Sequence, residues 1–183
     1  MRLILLTVVA ATVVGLIAGG TFRDFPSAKL RWWGLALAGA VLQFIPSRGA
    51  TAMVLLLASF AALIAFAIVN VHAPGFGLIL AGLALNALVI AVNQGMPVTR
   101  HALVASNQTA TLDDLIHNGG AKHHLADGGT SLEPLGDVIP LGAPIDQTIS
   151  IGDTCVQLGT AWFIVFAMPR RHPKIAEPET AAT

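Results

Sequence analysis

The sequence predicts an all-α membrane protein, a polytopic bundle of five transmembrane helices with a polar, outward-facing loop before the last helix. Of its 183 residues, 55% are hydrophobic and only 11% are charged, whereas a soluble domain carries about 25% charged residues. The mean hydropathy is +0.74. Long uncharged apolar runs recur along the chain, and about 20 helical residues cross a hydrocarbon core about 30 Å thick.

Five segments are predicted to span the membrane and to form one integral membrane domain over residues 1–168. They cover residues 3–20, 32–45, 50–69, 76–92 and 151–168. The first four contain no charged residue, and the fifth contains only Asp153. The second is short, but Trp32 and Trp33 at its start are residue types that favour the headgroup region.

The distribution of Lys and Arg predicts an outer N-terminus and a cytoplasmic C-terminus in the plasma membrane. Basic residues are enriched on the cytoplasmic side of membrane proteins, close to the ends of the spans. The inner side would receive Arg23, Lys29, Arg31, Arg170, Arg171 and Lys174, and the outer side Arg2, Arg48, Arg100 and Lys122. The tail over residues 169–183 is predicted to be disordered and cytoplasmic.

A cleaved signal peptide is the competing interpretation of the first segment. Arg2, the apolar run and the small residues near Ala10 fit that pattern loosely. Cleavage would leave four spans and place the basic residues around Arg31 outside, against the positive-inside rule. We therefore expect the first helix to be retained.

A polar outer loop, residues 94–148, separates the fourth span from the fifth. Its six acidic and two basic residues give it a formal charge of −4, balanced by +4 on the remainder of the chain. Local patterns predict two short helices rather than a sheet, around residues 98–106 and 112–117, with Thr111 as an N-cap of the second.

Four amide side chains in or beside the spans are candidate intramembrane contacts. Asn86 and Asn93 are seven residues apart and share one helix face, and Gln43 and Gln157 could meet them. Hydrogen bonding between helices, worth about 0.6 kcal/mol per bond, is preferred over a polar pocket that opens outward. The first four spans contain no ionisable residue, which argues against energised ion transport.

The start of the fifth span has the spacing of a capping box. Ser150 stands at the N-cap position and Asp153 three residues later, an arrangement that satisfies two free backbone N–H groups. The carboxylate also faces the positive end of the helix dipole. A structural role for Asp153 is therefore preferred over a catalytic one.

The remaining motifs indicate neither a metal nor a cofactor. His117, His123 and His124 lie near acidic residues in the outer loop, but their spacing matches no closed metal motif. No phosphate-binding loop, nucleophile elbow or zinc-protease motif is present. The ten basic and ten acidic residues give no basic field for nucleic acid, and the single cysteine, Cys155, excludes an intramolecular disulfide.

Five short motifs follow one another along the chain in a distinctive order. They are Gly15-Leu-Ile-Ala-Gly-Gly20, Arg31-Trp-Trp-Gly34, Asn93-Gln-Gly-Met-Pro-Val98, Leu135-Gly-Asp-Val-Ile-Pro-Leu141 and Ile149-Ser-Ile-Gly-Asp153. As an ordered set, they resemble the bacterial multi-pass membrane proteins of domain-of-unknown-function family 5317. The resemblance covers about residues 3–168. It implies an intact first helix and the topology above, but no activity.

This resemblance also directs attention to the outer membrane face. Asn93, His124, Asp137 and Asp153 form a candidate polar cluster there, beneath an outer loop that could act as a lid. The leading hypothesis is a small binding, transport-accessory or scaffold component without catalysis. Its candidate partners are the lipid bilayer, other membrane proteins and a second copy of the chain.

Two alternatives remain open at this stage. One is a compact membrane enzyme with an outward-facing acid–base or metal site built from His124, Asp137 and Asp153. The other is a minimal passive carrier lined by the four amide side chains. Polar groups that converge in a water-accessible cavity would favour one of these alternatives over a scaffold.

Overall fold

The computed structural model describes residues 2–21, 30–120 and 122–168. Within these residues the chain forms seven α-helices and four short strands. In order they are α1 (Arg2–Ile17), α2 (Trp33–Phe44), α3 (Gly49–Val69), α4 (Phe76–Asn93), β1 (Met96–Val98), α5 (Arg100–Ala105), α6 (Thr109–Asn118), β2 (His123–Leu125), β3 (Ile139–Leu141), β4 (Gln147–Ile149) and α7 (Ile151–Ala167). The predictions on Arg23, Lys29 and the tail 169–183 lie outside the described residues.

The five longest helices pack side by side in the order α2, α3, α4, α7, α1. The last helix therefore sits between the fourth and the first. By length and composition, α3 and α4 could each cross a membrane, and α1, α2 and α7 are shorter apolar helices. The helical part of the predicted fold is confirmed.

A buried asparagine joins the end of α3 to the chain that enters α2. The Asn70 side chain accepts a hydrogen bond from the Arg31 backbone N–H at 2.8 Å and donates to the Arg31 carbonyl at 2.9 Å. It also donates to the carbonyl of Phe66 at 2.8 Å. These bonds satisfy backbone groups that would otherwise lack partners at a helix end.

Glycines allow α4 and α7 to approach closely. A Cβ atom added at Gly82 would collide with the carbonyl oxygen of Gly152, and one added at Gly75 would collide with that of Gly159. Each helix therefore contributes two glycines seven residues apart, paired in reverse order because the helices are antiparallel. Small residues at such positions let helix backbones pack tightly, as in membrane bundles.

Aromatic rings pack around the end of the α4–α7 interface where Gly75 meets Gly159. Phe76 is 2% exposed and stands between the rings of Phe66 on α3 and Phe163 on α7. The ring centroids are 5.5 Å and 5.3 Å apart, in edge-to-face arrangements. Such aromatic pairs contribute about 0.5–1.5 kcal/mol beyond the area they bury.

The segment between α4 and α7, which we call the lid (residues 94–149), is folded rather than a simple loop. Strand β1 pairs in parallel with β2, and β3 pairs antiparallel with β4. The two predicted short helices are present as α5 and α6. The expectation of helices without a sheet was wrong, because strands of three residues are too short to show an alternating pattern and because β2, the partner of β1, lies 27 residues away in the sequence.

The start of α6 also differs from the prediction. Gln108 occupies the N-cap position, and helix α6 begins at Thr109. Thr111 therefore lies within the first turn and is not the cap. In α5, Thr99 does cap the helix, because its hydroxyl accepts a hydrogen bond from the Ala102 N–H at 3.3 Å.

The lid has its own small core and a direct anchor to α4. Val98, Leu103 and Leu112 are buried together. At the end of α4, the Asn93 amide accepts from the Ser131 N–H at 2.9 Å and donates to the Ser131 carbonyl at 2.8 Å. This reciprocal pair holds the middle of the lid against the helix bundle.

The glycine contact predicts a position-specific effect of a single methyl group. Gly82→Ala should lower the free energy of unfolding by about 1–3 kcal/mol, because the added Cβ must push α4 and α7 apart. Gly77→Ala on the same helix is the matched control, since nothing lies within 4 Å of its Cβ position. Thermal unfolding in detergent measures both, and equal melting temperatures for the two variants would contradict the close packing.

Candidate functional site

A cavity of about 850 Å³ lies between the lid and the helices of the bundle. Its walls combine apolar side chains from α3 and α4 with polar side chains from the lid and from α7. The titratable residues that line it are Arg2, Asp114, Lys122, His123, Asp137, Asp146 and Asp153. Enclosed spaces of about 300–1,000 Å³ with a few convergent polar groups are typical of small-molecule sites.

The floor of the cavity is a hydrogen-bonded network between α4 and the start of α7. The Asn86 amide donates to Asp153 Oδ1 at 2.8 Å and accepts from the Ser150 hydroxyl at 2.9 Å. Ser150 and Asp153 form the predicted capping box, with the Asp153 N–H donating to Ser150 Oγ at 2.9 Å and the Ser150 N–H donating to Asp153 Oδ2 at 3.2 Å. The capping role of Asp153 is confirmed.

Close packing makes this network possible. A Cβ atom at Gly152 would collide with Asn86 Oδ1, so only glycine leaves room for the amide between the two helices. Sequence reasoning identified Asn86 as a polar contact but missed its partner. The spacing Gly82-x-x-x-Asn86 places the small residue and the amide one turn apart on the same face of α4. This spacing is the sequence signal that could have indicated a close helix–helix contact at Asn86.

Asp137 stands on the opposite wall, held by the backbone of the lid. Its N–H donates to the Pro97 carbonyl at 2.9 Å, and its carbonyl accepts from the Thr99 N–H at 3.4 Å. The residue is 6% exposed. Among the described residues its Oδ1 atom has no hydrogen-bond donor, and its Oδ2 atom lies 3.7 Å from His123 Nε2.

The surroundings of Asp137 and His123 shift the pKa values of both side chains. Burial, and to a smaller extent the nearby Asp153 carboxylate, raises the pKa of Asp137 to about 8. Burial lowers the pKa of His123, although the Asp153 carboxylate acts in the opposite direction, and Lys122 and His124 add to the lowering. At neutral pH we therefore expect a protonated Asp137 beside a neutral His123.

The His123 side chain is 53% accessible and lines the cavity. The loss of hydration on the side that the protein covers lowers its pKa.

Two basic side chains at the edge of the cavity are already engaged. Arg2 lies 3.5 Å from the Asp146 carboxylate, and Asp146 also accepts from the Asn107 amide at 3.0 Å. The Lys122 ammonium group donates to the backbone carbonyl of Gln43. These contacts link the lid to the first residues of α1 and to the end of α2.

The structure brings together only part of the predicted polar cluster. Asp137 and Asp153 both line the cavity, but Asn93 and His124 do not. Asn93 instead binds the lid backbone, and His124 lies beside Gly95. Neighbouring residues of a strand point to opposite sides, so His123 rather than His124 faces the cavity.

The four amide side chains predicted as intramembrane contacts are also separated. Gln43 lines the cavity with Asn86, but its Nε2 donates to the Ser59 hydroxyl at 2.9 Å. Gln157 lies in a second, mostly apolar cavity between α1 and α7. The structure therefore does not form the carrier lining that these four residues would have provided.

No group of three or more His, Cys, Asp or Glu residues is arranged to hold a metal ion within residues 2–21, 30–120 and 122–168. His123 and Asp137 form a pair without a third ligand of these types. The expectation that no metal is bound remains a prediction, which elemental analysis of the purified protein would test.

The network on the floor predicts that Asp153→Asn is more damaging than the loss of a helix-dipole interaction. Asn retains one acceptor oxygen where Asp153 uses two, so either Asn86 or the Ser150 N–H loses its partner at a cost of about 1–3 kcal/mol. Ser150→Ala should cost about 0.5–2 kcal/mol through loss of the cap. Thr154→Val is the control on the same turn, since the Thr154 hydroxyl donates to the Ser150 carbonyl and takes no part in the network. If thermal unfolding shows that Thr154→Val lowers the melting temperature as much as Asp153→Asn, the network is disproved.

The raised pKa of Asp137 predicts a pH-dependent difference between wild type and Asp137→Asn. The pKa of Asp137 is about 8 in the folded protein, against an ordinary value of 3.8, so its contribution to stability is greatest below pH 4 and is lost between pH 4 and 8. Asn keeps the side chain neutral. The melting temperature of the variant should equal that of wild type near pH 4 and exceed it at pH 8–9. A difference in melting temperature that stays constant with pH would contradict the raised pKa.

Comparison with known proteins agrees with the resemblance in the sequence. Neither the curated proteins nor the solved structures contain a match to this chain. Residues 27–165 match a family of unknown function, DUF5317. Because this match covers α2 to α7 and the whole lid, the chain belongs to the DUF5317 family.

Proposed function

We propose that the chain is a plasma-membrane protein with five membrane-spanning helices, an outer N-terminus and a cytoplasmic C-terminus. In this proposal the lid covers the outer end of the bundle, and the cavity beneath it binds a small polar molecule without transforming it. The single observation that carries the binding function is the cavity of about 850 Å³, lined by titratable side chains.

The packing of the helices supports five spans. Helices α1, α2 and α7 lie in one row with α3 and α4. If α3 and α4 cross a membrane, the same membrane therefore surrounds α1, α2 and α7 as well. Their outward faces carry large exposed apolar side chains, including Leu5, Leu37 and Phe166. In water such a surface would promote aggregation, whereas in lipid it is favourable.

The shortest helix is compatible with this arrangement. Helix α2 has 12 residues and is therefore about 18 Å long, which is less than the thickness of the hydrocarbon core. Trp32 and Trp33 at its start are 63% and 66% exposed. Tryptophans at a helix end anchor it at the headgroup level, and the bilayer thins locally around a short span.

Access to the cavity is the direct test of the binding function. Leu56 and Leu83 are buried leucines on α3 and α4, 7% and 8% exposed, but only Leu56 lines the cavity. In a Cys155→Ser background, a small water-soluble thiol reagent added to intact cells should modify Leu56→Cys and leave Leu83→Cys unmodified. Equal protection of both cysteines would rule out a cavity open to outside solutes.

The topology has a separate test. Asn118, at the end of α6, is exposed, so a membrane-impermeant thiol reagent should label Asn118→Cys in intact cells. Thr180→Cys, beyond the described residues, should be labelled only after the cells are permeabilised. The reverse pattern would overturn the orientation and place the lid on the cytoplasmic side.

A further inference from the structure

The charges in the cavity are unbalanced. Four carboxyl groups line it, those of Asp114, Asp137, Asp146 and Asp153, against the two strong bases Arg2 and Lys122. Arg2 is paired with Asp146, and Lys122 donates to a backbone carbonyl. Asp153 has its own donors in Asn86 and Ser150. With Asp137 protonated in the empty protein, Asp114 and Asp153 are the cavity carboxylates without a basic partner among the described residues, and Asp153 lies near enough to raise the pKa of Asp137.

Asp137 is also the carboxyl group with an unmet need for a donor. Its side chain is 9% accessible, and Oδ1 has no donor among the described residues. A buried polar atom without a hydrogen bond costs about 1–3 kcal/mol. His123, at 3.7 Å from Oδ2, is too far for a normal hydrogen bond. The part of the side chain that stays accessible lines the cavity, so a donor brought by a ligand would approach the carboxyl group from there.

Another part of the cavity wall is apolar. Leu56 and Phe60 from α3, Ile90 from α4 and Leu103 from the lid line the same cavity. A hydrophobic group placed there would be removed from water, and the face of an aromatic ring also attracts a cation. The cavity therefore offers a carboxyl group at one side and a surface for an alkyl or aryl group at the other.

We propose that the cavity binds a small molecule that carries a protonated amine and a hydrophobic body, with its ammonium group against the carboxyl group of Asp137. This inference rests on the proposed binding function and names its ligand class. The alkyl or aryl group contacts the apolar wall, and the ammonium group supplies a positive charge beside a carboxyl group that has no basic partner other than His123 among the described residues. An anion would instead face an excess of carboxylates in the cavity.

Binding of this cation is coupled to the release of a proton. In the empty protein, burial and the nearby Asp153 keep Asp137 protonated, with a pKa of about 8. An ammonium ion favours the carboxylate, so the protonated carboxyl group and the ammonium ion give the ion pair and one free proton. The other charged groups that face Asp137 or line the cavity are His123, Lys122, Asp114, Asp146 and Arg2.

The test measures amine binding by titration calorimetry on the full chain in lipid nanodiscs. Methylammonium, butylammonium and benzylammonium are the probes, and benzyl alcohol and benzoate are matched to the last without a positive charge. At least one amine should bind at pH 8, with an affinity more than tenfold above that of benzyl alcohol or benzoate. Benzylammonium should bind more tightly than methylammonium, because it also covers the apolar wall.

Proton release is read by repeating the titration in buffers with different ionisation enthalpies. At pH 6 about one proton should leave for each amine bound, and the affinity should fall about tenfold per pH unit below pH 8. Asp137→Asn should abolish binding while remaining folded. Asp113→Asn, an exposed carboxyl group on the same lid helix that does not line the cavity, is the matched control and should retain binding within about threefold of wild type.

The outcomes separate this inference from the proposed function. If no amine binds, or if Asp137→Asn binds amines like wild type, the ammonium site is disproved. The cavity still stands as a binding site in that case, provided that Leu56→Cys is modified from outside. If Leu56→Cys is protected, the proposed function itself fails.

Discussion

The contact between α4 and α7 at Asn86 is the interaction on which the rest of the structure depends. A carboxylate and an amide among apolar helices are costly to bury unless each finds hydrogen-bond partners. Asn86, Ser150 and Asp153 satisfy one another, but only because Gly82 and Gly152 let the helices approach. The glycines, the amide and the capping box therefore act as one unit, in which the loss of any member leaves the others without a partner or without room.

This contact also fixes the lid. Strand β4 ends at Ile149 and α7 begins at Ile151, so the position of Ser150 sets the position of β4 and of its partner β3. Asp137 lies two residues before β3 and is joined to Pro97 at β1. The floor of the cavity and the lid are thus linked through short, hydrogen-bonded connections. The Asn93–Ser131 pair holds the middle of the lid against α4.

The sequence predicted the features that depend on local chemistry and missed those that depend on distant pairing. Apolar runs located the helices, and the Ser150–Asp153 spacing located the capping box, because both signals lie within a few residues. The pairing of β1 with β2 joins residues 27 apart, and no local pattern encodes it. Without that register, the choice between His123 and His124 could not be made, since it depends on which side of a strand faces the cavity.

Two of the four carboxyl groups of the cavity, those of Asp153 and Asp137, illustrate how environment divides roles between like residues. Asp153 accepts hydrogen bonds from a side-chain amide and a backbone N–H, so its oxygen atoms are committed to the structure. Asp137 is buried with an oxygen that has no donor, and this arrangement lowers the stability of the protein whenever the group is ionised. A folded protein retains such a group only where other contacts compensate, and unfavourable groups of this kind concentrate at functional sites. Asp137 is therefore the residue whose protonation state a ligand in the proposed site would change, whereas Asp153 holds the start of α7 in place.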